Sequence, residues 1–107
     1  MKRPRVEILY FEECPNHEEA RALVERVASD LRVEPDIHMV EIPDSEAATR
    51  SRFLGSPTVR IDGRDVEPGA EARSDYVLSC RVYRGERGLS GQPAERWIRD
   101  ALAVAMS

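Results

Sequence analysis

Two cysteines are the residues of this 107-residue chain with the widest chemical reach, and Cys14 has the more telling surroundings. It stands where the apolar run over residues 6–11 ends and a helical pattern begins, inside Cys14-Pro15-Asn16-His17. A thiol at a helix N-terminus faces unpaired backbone N–H groups and the positive end of the helix dipole, which favour the nucleophilic thiolate. Cys14 is therefore the candidate nucleophile. The plain alternative is a small buried hydrophobe, since free cysteine is among the most buried residue types. Glu12 and Glu13 beside it work against a thiolate if they point inward.

Cys80 has two readings: core filling on a short strand, or a resolving thiol that closes a disulfide with Cys14. The second needs Cα atoms within about 7 Å. The long separation in sequence is no obstacle, because loop-closure entropy grows slowly with loop length. His17 is either an exposed first-turn residue or an imidazolium that stabilises a Cys14 thiolate and protonates a leaving thiolate. Cys14, His17 and Cys80 also offer soft donors that could hold Zn²⁺, Cu⁺ or Hg²⁺ if they converge. A zinc site normally shows paired ligands and four donors, and one Cys-x-x-His pair does not assign a metal site. Cleavage of an organomercurial would need two thiolates and a proton donor, and no donor is identifiable. His38 reads as structural, Asp62 and Gly63 as turn residues and Trp97 as core.

These side chains must be positioned by a chain with room for a single domain, residues 1–107, and one core. Arg5–Tyr10 alternates, with Val6, Ile8 and Tyr10 on one face and Leu9 and Phe11 on the other, as in a strand buried on both sides. Pro15 suits a first helical turn, and Glu18 and Glu19 suit the positive end of the dipole. Ala20, Leu23, Val24, Val27 and Leu31 form one apolar stripe. After Pro35 a second strand is predicted over residues 37–42, ended by Pro43. Asp44 or Ser45 can cap a helix over residues 46–53, with Gly55 as its stop. Thr58–Ile61 predicts a third strand, Asp62-Gly63 a two-residue hairpin turn, and residues 65–67 a returning fourth strand. Residues 68–91 read as an insertion with a short strand over 79–83. Pro93 then opens a last helix in which Trp97, Ile98, Ala101, Leu102 and Ala105 share a face.

The order β-α-β-α-β-β-α, with right-handed crossovers, implies an α/β fold: a mixed sheet with helices on both faces and an insertion before the last helix. It puts Cys14 at the carboxyl end of a parallel strand, where sites on open α/β sheets gather. With 34% charged residues of both signs and 41% hydrophobic residues, the composition is that of a globular chain. The net charge of −4 argues against a nucleic-acid partner. Lys2, Arg3 and Arg5 make a basic start, but the apolar stretch after them is too short for a signal-peptide core or a membrane span. The chain is read as cytoplasmic, where two cysteines are more often reactive, metal-binding or incidental than a permanent bridge.

Residues 11–17, Phe-Glu-Glu-Cys-Pro-Asn-His, resemble the active-site start of the thioredoxin and glutaredoxin superfamily, with His17 where a second cysteine usually stands. Gly55-Ser56-Pro57-Thr58-Val59 resembles that superfamily's segment before strand three. The resemblance implies a thioredoxin-like fold, a cis Ser56–Pro57 bond lying against the active-site sulfur, and a substrate groove shaped by Pro15, Ser56 and Pro57. More narrowly, residues 59–68 and 79–83 are similar to small bacterial thioredoxin-like proteins. Some of these carry selenocysteine at the position of Cys14, and some are described as alkylmercury-lyase-like.

The expected function is that of a thiol oxidoreductase. Cys14 attacks a disulfide, a peroxide or another sulfur electrophile, and Cys80 resolves the intermediate if the fold brings it close enough; otherwise glutathione or another protein thiol must do so. No organic cofactor and no metal are implied, and the partners expected are protein or small-molecule thiols and disulfides, with no membrane or nucleic acid. Two other classes stay open: a soft-metal or organomercurial-binding protein using both thiols, and a thioredoxin-like binding module with a vestigial site.

Overall fold

A computed structural model of the chain describes residues 3–85 and 88–107. Lys2 of the basic start, and residues 86 and 87 of the 68–91 stretch, lie outside them. β1 (Arg5–Tyr10), α1 (His17–Asp30) and β2 (Asp36–Glu41) form a crossover unit, followed by α2 (Ser45–Arg50), β3 (Thr58–Ile61) and β4 (Arg64–Asp65). A 3₁₀ turn at Ala70–Ala72 leads to the hairpin of β5 (Tyr83–Gly85) and β6 (Gly88–Ser90), and α3 (Glu95–Met106) comes last. The main sheet runs β2-β1-β3-β4, with β1 parallel to β2 and antiparallel to β3, and β3 antiparallel to β4. Among the described residues the architecture is α/β, a mixed four-stranded sheet with three helices.

The alternation in β1 divides the core. Val6 and Ile8 join Val59 and Ile61 of β3 against Val24 and Val27 of α1 and Ile98 and Leu102 of α3. Leu9 points the other way, into a second cluster with Ile42, Phe53 and the α2 residues Ala47 and Ala48. Helices therefore cover both faces, because a period-two strand buries two sets of side chains only if each face is covered. Burying a side chain such as Phe53 contributes about 1.5–3 kcal/mol relative to leaving it exposed. Among the described residues no helix is long and apolar enough to cross a membrane.

Several boundaries differ from expectation. Pro15 does not open α1: the Cys14 N–H donates to the Phe11 carbonyl at 3.1 Å in a turn, and the helix runs from His17 behind Asn16. Asp44 caps α2 as predicted, its Oδ1 accepting from the Ala47 N–H at 2.8 Å, but the helix ends at Arg50, not at residue 53. Its stop is not Gly55. Arg52 takes the left-handed conformation at φ 55°, and the Phe53 N–H reaches back to the Ala48 carbonyl at 2.8 Å, a Schellman closure. Arg32 at φ 58° closes α1 in the same way, with the Val33 N–H on the Ala28 carbonyl at 2.9 Å.

Asp62 and Gly63, at φ 50° and 84°, form the predicted turn, so Ile61 pairs directly with Arg64. β4 is thus Arg64–Asp65 rather than residues 65–67, because Asp65 Oδ1 accepts the Glu67 N–H at 2.9 Å and turns the chain away. The strand expected over residues 79–83 is displaced as well. Cys80 makes one isolated parallel bridge with Ser56, and the strand proper begins at Tyr83.

Candidate functional site

The turn at the carboxyl end of β1 carries Cys14 inward, and its side chain is fully buried. Its thiol donates to the Ser56 carbonyl oxygen at 3.4 Å. Ser56 lies on the segment entering β3, which the sheet places beside β1, so the two halves of the sequence pattern meet by strand pairing. The Ser56–Pro57 peptide bond is cis, the isomer the resemblance implies.

Cys80 reaches the same point from the other side. The Ser56 N–H donates to the Ser79 carbonyl at 2.8 Å, and the Arg81 N–H donates to the Ser56 carbonyl, also at 2.8 Å. These two bonds clamp the backbone on either side of Cys80. Its thiol then donates to Cys14 Sγ at 2.8 Å. Both cysteines are free, and Cys80 is exposed whereas Cys14 is buried. The result is a directed chain from the Cys80 S–H through the Cys14 S–H to a carbonyl oxygen. The bond to Cys14, and to a lesser degree burial, hold the Cys80 pKa above the ordinary thiol value, because each favours the protonated form. Sulfurs in contact can close to a disulfide with a movement of less than about 1 Å.

A third residue keeps the clamp in place, one that sequence reasoning did not single out. Arg81 has a side chain only 1% exposed, within reach of two carboxylates. Its Nη1 donates to Asp65 Oδ2 at 2.8 Å and to Thr58 Oγ1 at 3.1 Å. Its Nη2 donates to Glu67 Oε1 at 2.7 Å and to Asp65 Oδ1 at 3.2 Å, a bidentate grip on Asp65. The guanidinium also lies over the Tyr83 ring, 4.4 Å from its centroid. Burial works against the Arg81 charge, but the bonds to Asp65 and Glu67 outweigh it and its pKa is raised. Tyr83 is buried too, donating its hydroxyl to the Pro57 carbonyl, and burial pushes its pKa well up. The one available signal was Asp65 and Glu67 placed just after the Asp62-Gly63 turn, two carboxylates in need of a cation.

Gly55 permits this arrangement. A Cβ at this position would come within 2.8 Å of the Arg81 Cβ, and its φ of 118° disfavours any side chain. The close approach of residues 55–56 to residues 79–81 thus depends on glycine.

His17 is not brought to the sulfurs. Its Nδ1–H donates to the Cys14 carbonyl at 2.9 Å and its ring stacks on Tyr10, 4.3 Å between centroids. It fixes the backbone that carries Cys14 rather than the thiol. Pro15 is exposed beside the pair, whereas Ser56 and Pro57 are fully buried. The two backbone bonds of Ser56 are made by Ser79 and Arg81, so the chain's own residues 79–81 occupy the edge where a substrate groove was expected. The Ser56 hydroxyl is buried with no hydrogen-bond partner among the described residues. Among the described residues no three of His, Cys, Asp and Glu cluster in a way that could hold a metal ion, so Cys14, His17 and Cys80 do not form a ligand set.

The chain matches no known protein-family description, and a search of curated proteins finds no relative.

Proposed function

We propose that this chain is a thioredoxin-like thiol–disulfide oxidoreductase in which Cys14 and Cys80 cycle between dithiol and disulfide. One observation carries the reading: two free thiols 66 positions apart in sequence lie 2.8 Å apart, one buried and one at the surface. A purely structural pair of cysteines does not require the buried arginine clamp that presents Cys80 to Cys14. The strand order β2-β1-β3-β4, with β1 parallel to β2 and antiparallel to β3, is compatible with the thioredoxin-like topology that the resemblance implies. The partners are thiols and disulfides of proteins or small molecules, no organic cofactor takes part, and a reducing cytoplasm would hold the pair in its dithiol form.

The soft-metal reading has less support, because His17 is engaged with the Cys14 carbonyl and leaves at most two sulfur donors. The binding-module reading loses ground to the sulfur contact itself.

The test is equilibration of the reduced protein in glutathione buffers of graded potential, followed by acid quench and intact mass measurement. The expected outcome is one two-electron transition to a species two hydrogens lighter, with peptide mapping joining Cys14 to Cys80. A population that only accumulates glutathione adducts, or that never oxidises, would refute the redox reading.

A further inference from the structure

We infer that Cys80, not Cys14, is the sulfur that exchanges with the substrate, and that Cys14 is the buried thiol that resolves the mixed disulfide. This rests on the dithiol reading above and reverses the order that the position of Cys14 before α1 suggests.

Access decides the order. In thiol–disulfide exchange the entering sulfur must approach the attacked sulfur from the side opposite the leaving one, and the rate depends on which sulfur can be reached. Cys14 has no accessible surface, and its sulfur is engaged by the Ser56 carbonyl and by Cys80 Sγ. A disulfide, even a small one, has no approach to it. Cys80 is exposed, while its chain neighbour Arg81 is buried and anchored to Asp65 and Glu67. The anchor and the two backbone bonds to Ser56 hold the peptide still, with its sulfur at the surface. Exposure of Cys80 is thus a property of a fixed segment rather than of a loose end.

Cys80 first breaks its hydrogen bond to Cys14 Sγ and gives its proton to solvent, and its thiolate then attacks one sulfur of R–S–S–R′, forming a Cys80–S–R bond while R′S⁻ departs and takes a proton. Cys14, already in contact, attacks Cys80 Sγ, and its proton passes to the departing RS⁻, because Cys14 itself has no access to solvent. The Cys14–Cys80 bond forms, and RSH leaves. The protein dithiol is oxidised by two electrons, and the substrate disulfide is reduced to two thiols. In the return direction a reducing thiol attacks Cys80 Sγ and Cys14 is the leaving group.

The experiment exposes native wild type, Cys14→Ala and Cys80→Ala to glutathione disulfide, with acid quenching at intervals and peptide mapping. In wild type the mixed disulfide should appear transiently on Cys80 before the bridge forms, a readout that does not depend on either variant folding. Cys14→Ala should accumulate one glutathione on Cys80. Cys80→Ala should react on the order of 100-fold more slowly, because Cys14 must await local opening, and should recover in denaturant. Glutathione found first on Cys14 in wild type, or equal native rates for the two variants, would overturn the order of attack. A bridge that forms after an adduct on Cys14 overturns this order alone, whereas failure of wild type to form any bridge overturns the dithiol reading with it.

Discussion

At the scale of single residues, Arg81 is the position where chemistry and stability meet. A guanidinium with 1% of its side chain exposed is tolerable only when its charge is matched, and Asp65 and Glu67 do this, with Thr58 taking a further Nη1 bond, while the buried Nε has no hydrogen-bond partner among the described residues. Replacement by an apolar residue leaves two carboxylates facing an emptied site. Arg81→Leu should therefore lose about 3–5 kcal/mol of unfolding free energy. Arg81→Lys should lose less, because it retains the charge but not the bidentate fork. Urea unfolding of both variants checks this, with the rate of Cys14–Cys80 bridging as a second readout. A loss below about 1 kcal/mol in Arg81→Leu would mean that the ion pairs behave like surface pairs and do not hold the clamp. His17 illustrates the opposite case, a residue with the right chemistry whose proton is spent on a backbone carbonyl.

At the scale of elements, the site is a junction of three segments: the turn after β1, the entry to β3, and residues 79–81. The distance between the last two is set at Gly55, where a Cβ would meet the Arg81 Cβ at 2.8 Å and φ is 118°. Gly55→Ala must push residues 79–81 outward, carrying Cys80 away from Cys14. The variant should lose about 1–3 kcal/mol from backbone strain alone, and bridge with peroxide or disulfide more slowly than wild type. Chemical denaturation and a timed mass-spectrometric assay measure the two effects separately. Unchanged bridging would show that the sulfur contact does not depend on this close approach. The helix ends teach a related lesson, since Arg32 and Arg52 occupy left-handed positions where glycine is the usual choice.

At the scale of the whole molecule, protonation and oxidation both feed into stability. Tyr83 and Cys80 have raised pKa values in the folded state, so folding favours their protonated forms. Their contribution is fully present below the ordinary values of the unfolded chain and is lost as pH rises through the raised folded ones. Reduced protein should therefore lose stability above the ordinary thiol value of 9.0, and part of that loss should vanish once Cys80 is oxidised and has no proton to release. Oxidation should also raise the urea midpoint: a bridge spanning 66 positions restricts the unfolded chain by about 4 kcal/mol in the loop-entropy account. Unfolding of oxidised and reduced protein across the alkaline range tests both statements. Equal midpoints at neutral pH would indicate that native-state strain cancels the entropic gain.

Much of the molecule was determined by local pattern. The alternation of Val6, Ile8 and Leu9, the apolar stripes of α1 and α3, the Asp44 cap and the Asp62-Gly63 turn are relations among near neighbours in sequence, and each appears as an element or boundary. Topology alone then placed Cys14 at the carboxyl end of β1. The rest depended on partners far along the chain. Arg81 meets Glu67, Asp65 and Thr58 at separations of 14, 16 and 23 residues, and Cys80 meets Cys14 at 66. A single arginine on a short strand carries no sign of burial until the carboxylates that bury it are placed beside it. Likewise, two cysteines in sequence do not reveal which sulfur will face water. Burial is a property of everything that packs around an atom, so only the tertiary structure could decide that Cys14 lies inside and Cys80 at the surface.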